Sequence, residues 1–241
     1  DYVKEAESLE IYEKNFSKYS QYKVPKVYHN YSTGKVLVMS KESGLEFTQW
    51  LRNNPSQEER NTIGGYLLDL YIKEFFENKL VQTDPNPANF LINEDHQLVL
   101  LDFGATIPYE VSFVKDYQHL LRTVFEGDSK KILEVIESLG YLSEKESVET
   151  KRKFVEFIKL SLLPFEESAQ PFDFSQIEYS DEVRRRALEF TKKIRYSAPP
   201  RQLIFLHRKL GGIFLLMKKL GVKRDLSHYR KLIIEKDYDQ F

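Results

Sequence analysis

The chain has 241 residues, of which 41% are hydrophobic and 30% charged, a composition typical of a globular protein long enough to bury a sizeable core. Its 36 Lys and Arg residues nearly balance its 37 Asp and Glu residues, so the formal net charge of −1 gives no electrostatic reason to expect nucleic-acid binding. Cysteine is absent from the sequence, which excludes disulfides and thiolate metal sites.

The first third of the sequence mixes helical and extended patterns. Apolar residues recur at helical spacing near the start, and short apolar runs bounded by polar turns follow them. The predicted elements are, in chain order, a helix over about residues 2–16, strands over 22–28 and 35–39, a short helix over 46–52 and a long amphipathic helix over about 57–79.

The part of the sequence after residue 110 is predicted to be helical. Ser143 followed by Glu146 is a capping-box pattern, and Asp181 and Asp225 are further predicted helix starts. The predicted helices cover residues 111–125, 129–139 and 143–163, then residue 181 to just before Pro199, residues 203–220, and a short stretch after Asp225.

The most apolar of these helices, over residues 203–220, is interrupted by charged and polar side chains, so it reads as a packed helix rather than a membrane span. His207 and Arg208 lie in this amphipathic helix. We interpret them as packed, hydrogen-bonded residues rather than ligands.

A polar loop followed by a hairpin is the most informative part of the sequence. Asp84 is followed by Asn89 five positions later, and the apolar runs Phe90–Ile92 and Leu98–Leu100 then flank a polar turn. Folding these runs into a hairpin brings Asn89 and Asp102 to its open end, within a residue or two of strand rise, about 3.3 Å each. Two candidate metal ligands therefore converge without any assumption about tertiary structure.

These three oxygen-bearing side chains fit the needs of phosphoryl transfer. A carboxylate such as Asp84 can orient the attacking group, while the amide oxygen of Asn89 and the carboxylate of Asp102 can hold Mg²⁺ against phosphate charge. An Asp-Pro-Asn sequence alone is most often a turn. The occurrence of all three in this order, with Phe103-Gly104 directly after Asp102, favours a nucleotide site instead.

The motifs resemble those of the UbiB/AarF/ADCK family of atypical kinases. The first of them are Gln82-Thr83-Asp84-Pro85-Asn86 with Asn89-Phe90, followed by Leu100-Leu101-Asp102-Phe103-Gly104-Ala105. The family has Gln-Thr-Asp where ordinary protein kinases have His-Arg-Asp. Further similar motifs are Asp1-Tyr2 with Glu5-Ala6, Pro171-Phe172-Asp173-Phe174, and Leu206-His207-Arg208-Lys209 with Gly211 or Gly212. The resemblance spans nearly the whole chain.

The resemblance implies roles for residues outside the polar loop. Glu5 resembles the helix C glutamate of a kinase, and Asp1 resembles the last residue of the family's Glu-x-Asp element. Ser40, Lys41 and Glu42 resemble the hinge whose backbone groups meet adenine. The implied ligands are ATP or ADP together with Mg²⁺. Without the resemblance, Glu5 would read as a solvated helix glutamate and the hinge residues as a polar turn.

The resemblance also implies a helix-dominated α+β fold of the protein-kinase-like type. Residues 1–42 would be a remnant of the N-terminal lobe, with helix C, two strands and the hinge, and residues 43–241 would be the helical C-terminal lobe with the catalytic loop and hairpin. No phosphate-binding lysine strand, Ala-rich loop or Lys-x-Gly-Gln helix precedes Glu5. We therefore expect a fragment with an incomplete N-terminal lobe, whose own catalytic competence stays open.

The implied activity of the intact protein is ATP-dependent phosphotransfer or ATP hydrolysis in support of ubiquinone biosynthesis, with ATPase activity favoured over protein phosphorylation. The implied partners are a nucleotide, a lipid or quinone precursor and a peripheral membrane surface. That surface would be the bacterial inner membrane, or the matrix side of a mitochondrial membrane.

Two alternatives stay open. One is a pseudokinase scaffold that senses nucleotide and binds lipid. The other is a small-molecule phosphotransferase of the aminoglycoside or choline kinase type. Such enzymes usually carry His before the catalytic Asp and Asp-x-Asp after the hairpin, whereas this chain has Gln82-Thr83 and Asp102-Phe103-Gly104.

Overall fold

The computed structural model describes residues 2–236 and residue 238, and it shows a helix-dominated α+β protein, as the sequence predicts. The α-helices are α1 (Tyr2–Phe16), α2 (Phe47–Arg52), α3 (Gln57–Ile72), α4 (Val111–Glu126), α5 (Ser129–Ser138), α6 (Val148–Leu162), α7 (Ile177–Lys193), α8 (Arg201–Leu220) and α9 (Ser227–Glu235). The strands are β1 (Tyr22–Lys23), β2 (Leu45–Glu46), β3 (Leu80–Gln82), β4 (Phe90–Ile92), β5 (Leu98–Leu100), β6 (Thr106–Pro108), β7 (Phe172–Asp173) and β8 (Lys223–Arg224). Within this described part of the chain, no helix is both long and apolar enough to cross a membrane.

The chain divides into two compact units. The first consists of the residues up to Tyr109 together with Leu206–Leu220, and the second consists of Glu110–Phe205 together with the residues from Gly221 onward. The boundary predicted between residues 42 and 43 lies inside the first unit, and the assignment of lobes stays a prediction.

A four-stranded sheet with the order β1-β5-β4-β2 carries the predicted hairpin in the first unit. β4 and β5 pair antiparallel with Phe90 opposite Leu100, which confirms the hairpin. β1 flanks β5 in parallel and β2 flanks β4 antiparallel. Gly44 lets the chain before β2 approach β4, since a β-carbon at Gly44 would lie 2.9 Å from Leu91 Cβ. The hairpin is therefore supported on both sides.

The long strands predicted over 22–28 and 35–39 are wrong in their extent. Within these two ranges the structure forms the strand β1 alone, and β1 pairs with β5. The two ranges contact each other through an isolated antiparallel bridge between Val27 and Met39. Pro25 has no amide N–H to contribute to a ladder, so a continuous pairing is interrupted at that point.

The long helix predicted over residues 57–79 begins where expected. Ser56 and Glu59 form a capping box at the start of α3, which satisfies two of the free amide groups there. The helix then continues as a π-helical turn over Lys73–Glu77, closed by a hydrogen bond from Asn78 N to Lys73 O of 2.8 Å. Such turns often occur at functional sites.

The second unit is built mainly from helices, and one predicted helix start in it is wrong. α6 begins at Val148 with Ser147 as its cap, not at the Ser143 and Glu146 pattern. The Glu146 carboxylate instead accepts the backbone N–H of Tyr196 at 2.7 Å. The Ser143 and Glu146 spacing matches a capping box, but the Glu146 carboxylate binds a loop 50 residues away in sequence.

Two further helix starts lie close to the predictions. α7 begins at Ile177, a turn before the predicted Asp181. α9 begins at Ser227 with Leu226, not Asp225, at its N-cap position, although Asp225 accepts the Ser227 N–H at 2.8 Å.

Candidate active site

The polar loop is fixed by a pair of short strands that the sequence did not reveal. β3 and β6 pair antiparallel, with Gln82 opposite Thr106. Directly after β3, Thr83 donates to Ala105 O through its backbone N–H at 3.0 Å and through its hydroxyl at 2.8 Å. The residues before Asp84 and the residues after Asp102 are therefore tied together.

Asp84 and Asn89 lie in direct contact. The Asn89 side-chain nitrogen donates to Asp84 O at 3.1 Å and to Asp84 Oδ2 at 3.3 Å. Between them, Asn86 caps a 3₁₀ turn over Pro87–Asn89 by accepting the Ala88 N–H at 3.0 Å. Because the nitrogen of the Asn89 amide binds Asp84, its oxygen is the end that can face a cation.

Asn89 and Asp102 lie at the open end of the hairpin, where the sequence places them. Leu101, the residue before Asp102, donates its backbone N–H to Asn89 O at 3.1 Å. Both Asn89 and Asp102 line one small cavity, together with Gln82 and Phe103. The structure thus brings both predicted metal ligands to the same cavity.

Glu5 approaches the same site from α1. A β-carbon at Gly104 would lie 3.3 Å from Glu5 Oε2 and 3.4 Å from Asp102 Oδ1, so the two carboxylates flank one point. Partial burial raises the pKa of Glu5, and the negative charge of Asp102 raises it further. Tyr12, farther along α1, packs its ring against Phe103 with the centroids 4.7 Å apart. Helix α1 therefore contributes to the site at two positions.

Arg208 is a site residue that the sequence interpretation missed. Its Nη2 atom lies 3.0 Å from Asp84 Oδ1, and the ion pair is partly open to solvent. The sequence predicts a structural role for Arg208 because it lies in an amphipathic helix. The similarity of Leu206-His207-Arg208-Lys209 to a family motif was the available sequence signal, but it does not indicate that Arg208 contacts Asp84.

A buried ion pair lies beneath the loop. Lys209 Nζ is 3.1 Å from Glu74 Oε2, and both side chains are about 1% exposed. Lys209 also donates to Gln82 Oε1 at 3.4 Å, and the same oxygen accepts the Asp84 N–H at 3.2 Å. Tyr12 donates to Glu74 Oε1 at 2.8 Å. Burial raises the pKa of Glu74, and the charge of Lys209 opposes that rise.

The hinge candidates lie apart from these residues. Ser40, Lys41 and Glu42 form a loop in which Ser40 N donates to Lys26 O at 2.8 Å and Ser40 Oγ donates to Glu42 Oε1 at 2.6 Å. In the described structure they share no hydrogen bond with Asp84, and they do not line the cavity beside it. Asp1 lies outside the described residues.

Oxygen atoms of Asn89 and Asp102 beside the cavity, with Glu5 next to Asp102 at Gly104, form a donor set whose chemistry suits a divalent cation. Among the described residues, no group of three or more His, Cys, Asp and Glu side chains could hold a metal ion. The set here is instead two carboxylates, Asp102 and Glu5, with the amide oxygen of Asn89, and hard oxygen ligands suit Mg²⁺. Gln82 Nε2 is buried without a hydrogen-bond partner in the described part of the chain, which leaves a donor for a further oxygen.

The chain is similar to known proteins in both sequence and structure. The model of the ABC1 atypical kinase-like domain matches residues 1–136. Atypical kinase COQ8, mitochondrial, of Saccharomyces cerevisiae is 34% identical over 98% of this chain and 46% of its own length. Atypical kinase COQ8B, mitochondrial, of Rattus norvegicus is 31% identical over 91% of this chain and 41% of its own length. The chain therefore spans less than half the length of these two relatives.

A solved structure with the same fold is that of Rv3197 from Mycobacterium tuberculosis in complex with erythromycin. It superimposes with a TM-score of 0.73 and 19% identity, over 97% of this chain and 57% of that one. Together with the family model, this likeness confirms the predicted kinase-like fold. Because the model matches more than half of the chain, and the COQ8 proteins resemble nearly all of it, the chain belongs to the ABC1 atypical kinase-like family, also called UbiB/AarF/ADCK.

Proposed function

We propose that the full-length protein binds ATP with Mg²⁺ and hydrolyses it or transfers its terminal phosphoryl group. The observation that carries this proposal is the convergence of Asp84, Asn89, Asp102 and Glu5 around one end of the hairpin. All four belong to the first compact unit. Little covalent chemistry is required of the protein in phosphoryl transfer, so positioning and charge account for most of the catalysis.

Asp84 would orient the attacking hydroxyl or water. Its carboxylate is already fixed at Oδ1 by Arg208 and at Oδ2 by Asn89, which limits its rotation. Asn89 and Asp102 would hold the Mg²⁺ that neutralises charge on the phosphate oxygens. Glu5 lies beside Asp102, where a cation would relieve the repulsion between the two carboxylates.

The backbone of Ser40, Lys41 and Glu42 would meet adenine in this proposal. The division into an N-terminal remnant over residues 1–42 and a C-terminal lobe over residues 43–241 accompanies it. Both rest on the resemblance of these segments to the hinge and lobes of kinases, and on the kinase-like fold.

The names of the related proteins support a biological setting for this chain. COQ8 proteins are named as mitochondrial atypical kinases, and this supports a role in ubiquinone biosynthesis on the matrix side of a mitochondrial membrane, or at the inner membrane of a bacterium. ATP hydrolysis coupled to a lipid or quinone precursor is favoured over protein phosphorylation. Phosphate release from the full-length protein, measured with and without membrane lipid, separates this activity from the pseudokinase scaffold, because a scaffold would bind nucleotide without releasing phosphate in either condition.

The site is tested by Asp102→Asn in the full-length protein. Nucleotide affinity is titrated calorimetrically with and without Mg²⁺. The substitution replaces a metal-binding carboxylate by a neutral amide, so we expect it to abolish the gain in affinity that Mg²⁺ gives to the unsubstituted protein.

Asp95→Asn is the matched control, because Asp95 is an exposed residue in the turn at the opposite end of the same hairpin. It should leave the magnesium dependence intact. Equal nucleotide affinity with and without Mg²⁺ in the unsubstituted protein would refute the proposed site, as would an unchanged magnesium dependence in Asp102→Asn.

A further inference from the structure

Helix α8 contacts the polar loop at several points, although it lies outside the residues 1–136 that the family model matches. The part of the helix that does so, Leu206–Leu220, belongs to the same compact unit as the loop. Successive residues of this helix have different environments there. Arg208 is largely exposed and meets the Asp84 carboxylate, whereas Lys209 is fully buried below it.

The contact between Arg208 and Asp84 constrains the carboxylate directly. Arg208 Nη2 donates to Asp84 Oδ1 at 3.0 Å, and Asn89 Nδ2 donates to Asp84 Oδ2 at 3.3 Å. A carboxylate held at both oxygens by donors from two different elements cannot rotate freely. Each oxygen still has a second lone pair for a substrate hydroxyl or water.

Lys209 restrains the backbone of Asp84 through the side chain of Gln82. It directs Gln82 Oε1 by donating to it at 3.4 Å, and that oxygen accepts the Asp84 N–H at 3.2 Å. Glu74 provides the buried counter-charge that Lys209 requires. The side chain and the backbone N–H of Asp84 are therefore both held through α8.

Gly212 explains how the helix comes this close. A β-carbon at Gly212 would lie 2.1 Å from Pro85 Cγ and 2.4 Å from Pro85 Cβ, which is shorter than any real contact. At the neighbouring Gly211, a β-carbon would meet nothing within 4 Å. The absence of a side chain is needed at the one glycine that faces the residue after Asp84.

We propose that Arg208 is a positioning residue of the active site, which orients the carboxylate of Asp84 for phosphoryl transfer. The inference rests on the proposed function, because it assigns Arg208 a role in the reaction attributed to Asp84. Exposed ion pairs contribute little to stability, so this pair is not needed to hold the fold. Its effect is on the direction in which Asp84 points.

The test compares Arg208→Gln, Arg208→Lys and the control Lys219→Gln in the full-length protein. Lys219 is an exposed cation on the same helix, and its Nζ donates to Thr48 Oγ1 at 3.0 Å, away from Asp84. The measurements are kcat and KM for ATP turnover, calorimetric affinity for Mg²⁺-nucleotide, and Tm.

We expect Arg208→Gln to lower kcat by about 10- to 100-fold, the size of effect that a misplaced catalytic group produces. Nucleotide affinity and Tm should stay close to those of the unsubstituted protein. Arg208→Lys should recover part of kcat because it keeps the charge but not the planar fork. Lys219→Gln should change none of these quantities.

A double-mutant cycle with Asp84→Asn separates positioning from other roles. If Arg208 acts through Asp84, then Arg208→Gln should cause no further loss of kcat in the Asp84→Asn background. The inference is overturned if kcat is unchanged in Arg208→Gln, if the loss persists in that background, or if nucleotide affinity or Tm falls in parallel. Any of these results, with Asp102→Asn behaving as expected, refutes the role of Arg208 alone. Absence of turnover in the unsubstituted protein refutes the proposed function as well.

Discussion

The two ends of the candidate site carry opposite charge environments. At one end, the Asp84 carboxylate is paired with Arg208 and hydrogen-bonded to Asn89. At the other end, Asp102 lies beside a second carboxylate, Glu5, and its Oδ1 accepts the Gly104 N–H at 2.8 Å. Within the described residues, neither Asp102 nor Glu5 forms an ion pair with Lys or Arg.

The two ends differ in where their positive charge comes from: the chain itself provides it at Asp84, whereas a bound cation would have to provide it at Asp102. The end that would orient the nucleophile has its counter-charge built in through α8. The end that would hold the metal has acidic and amide oxygens in excess, and such groups are costly to bring together without a cation. In the proposed function, the Asp84 carboxylate would be oriented before ligand binds, and the Asn89 and Asp102 end would be completed by a bound cation.

The largest expected effect comes from the buried pair under Asp84. Lys209→Met leaves the Glu74 carboxylate buried without its cation, which should lower the free energy of unfolding by about 3–5 kcal/mol. Urea unfolding followed by circular dichroism measures this loss. It would show that the Asp84 end depends on an internal counter-charge.

The double variant Glu74→Gln with Lys209→Met is the matched control, because it removes both charges at similar volume. It should recover most of the lost stability, since well-packed neutral residues can replace a buried ion pair at little cost. Equal instability of the single and double variants would mean that packing around Lys209, rather than its charge, supports the loop.

The sequence predicts that Asn89 and Asp102 lie together, but it does not predict the contact of Arg208 with Asp84, because only the first contact is local. Asn89 and Asp102 meet through one short hairpin whose register follows from two apolar runs and a polar turn. Arg208 is 124 residues away from Asp84, and the sequence pattern does not predict which loop an exposed arginine contacts in the folded chain. The same holds for Lys209, whose partner Glu74 is 135 residues away.

The errors in the fold have the same origin. Glu146 lies three residues after Ser143, as in a capping box, but its carboxylate is taken by backbone groups around Tyr196. The predicted strand over 22–28 reads as extended, yet Pro25 removes an amide that a ladder needs. Helices with strong periodicity were predicted to within a few residues, whereas pairing partners depend on tertiary contacts that propensity does not contain.

An intermediate effect is expected from the close approach of α8 to the loop. Gly212→Ala places a β-carbon against Pro85, so the helix or the loop has to shift, and we expect a loss of about 1–3 kcal/mol in unfolding free energy. Gly211→Ala is the control on the same helix. Open space surrounds it, so it should be neutral or stabilise the protein by up to about 1 kcal/mol through helix propensity. Similar stability of the two variants in urea unfolding would refute the tight contact at the Asp84 end.

The smallest effect tests the other end of the comparison. Because burial and the charge of Asp102 raise the pKa of Glu5, its ionised form costs stability at neutral pH. Glu5→Gln removes that charge and should raise Tm by about 1–2 °C in metal-free buffer, since a partly exposed pair of like charges is screened by solvent. In the presence of Mg²⁺-nucleotide the same variant should lose part of the Tm gain that the ligand gives the unsubstituted protein, because one of the carboxylates that attract the cation is missing. A lower Tm of Glu5→Gln in metal-free buffer would show that Glu5 stabilises the fold as an anion. The repulsion between Glu5 and Asp102 would then not favour binding of a cation.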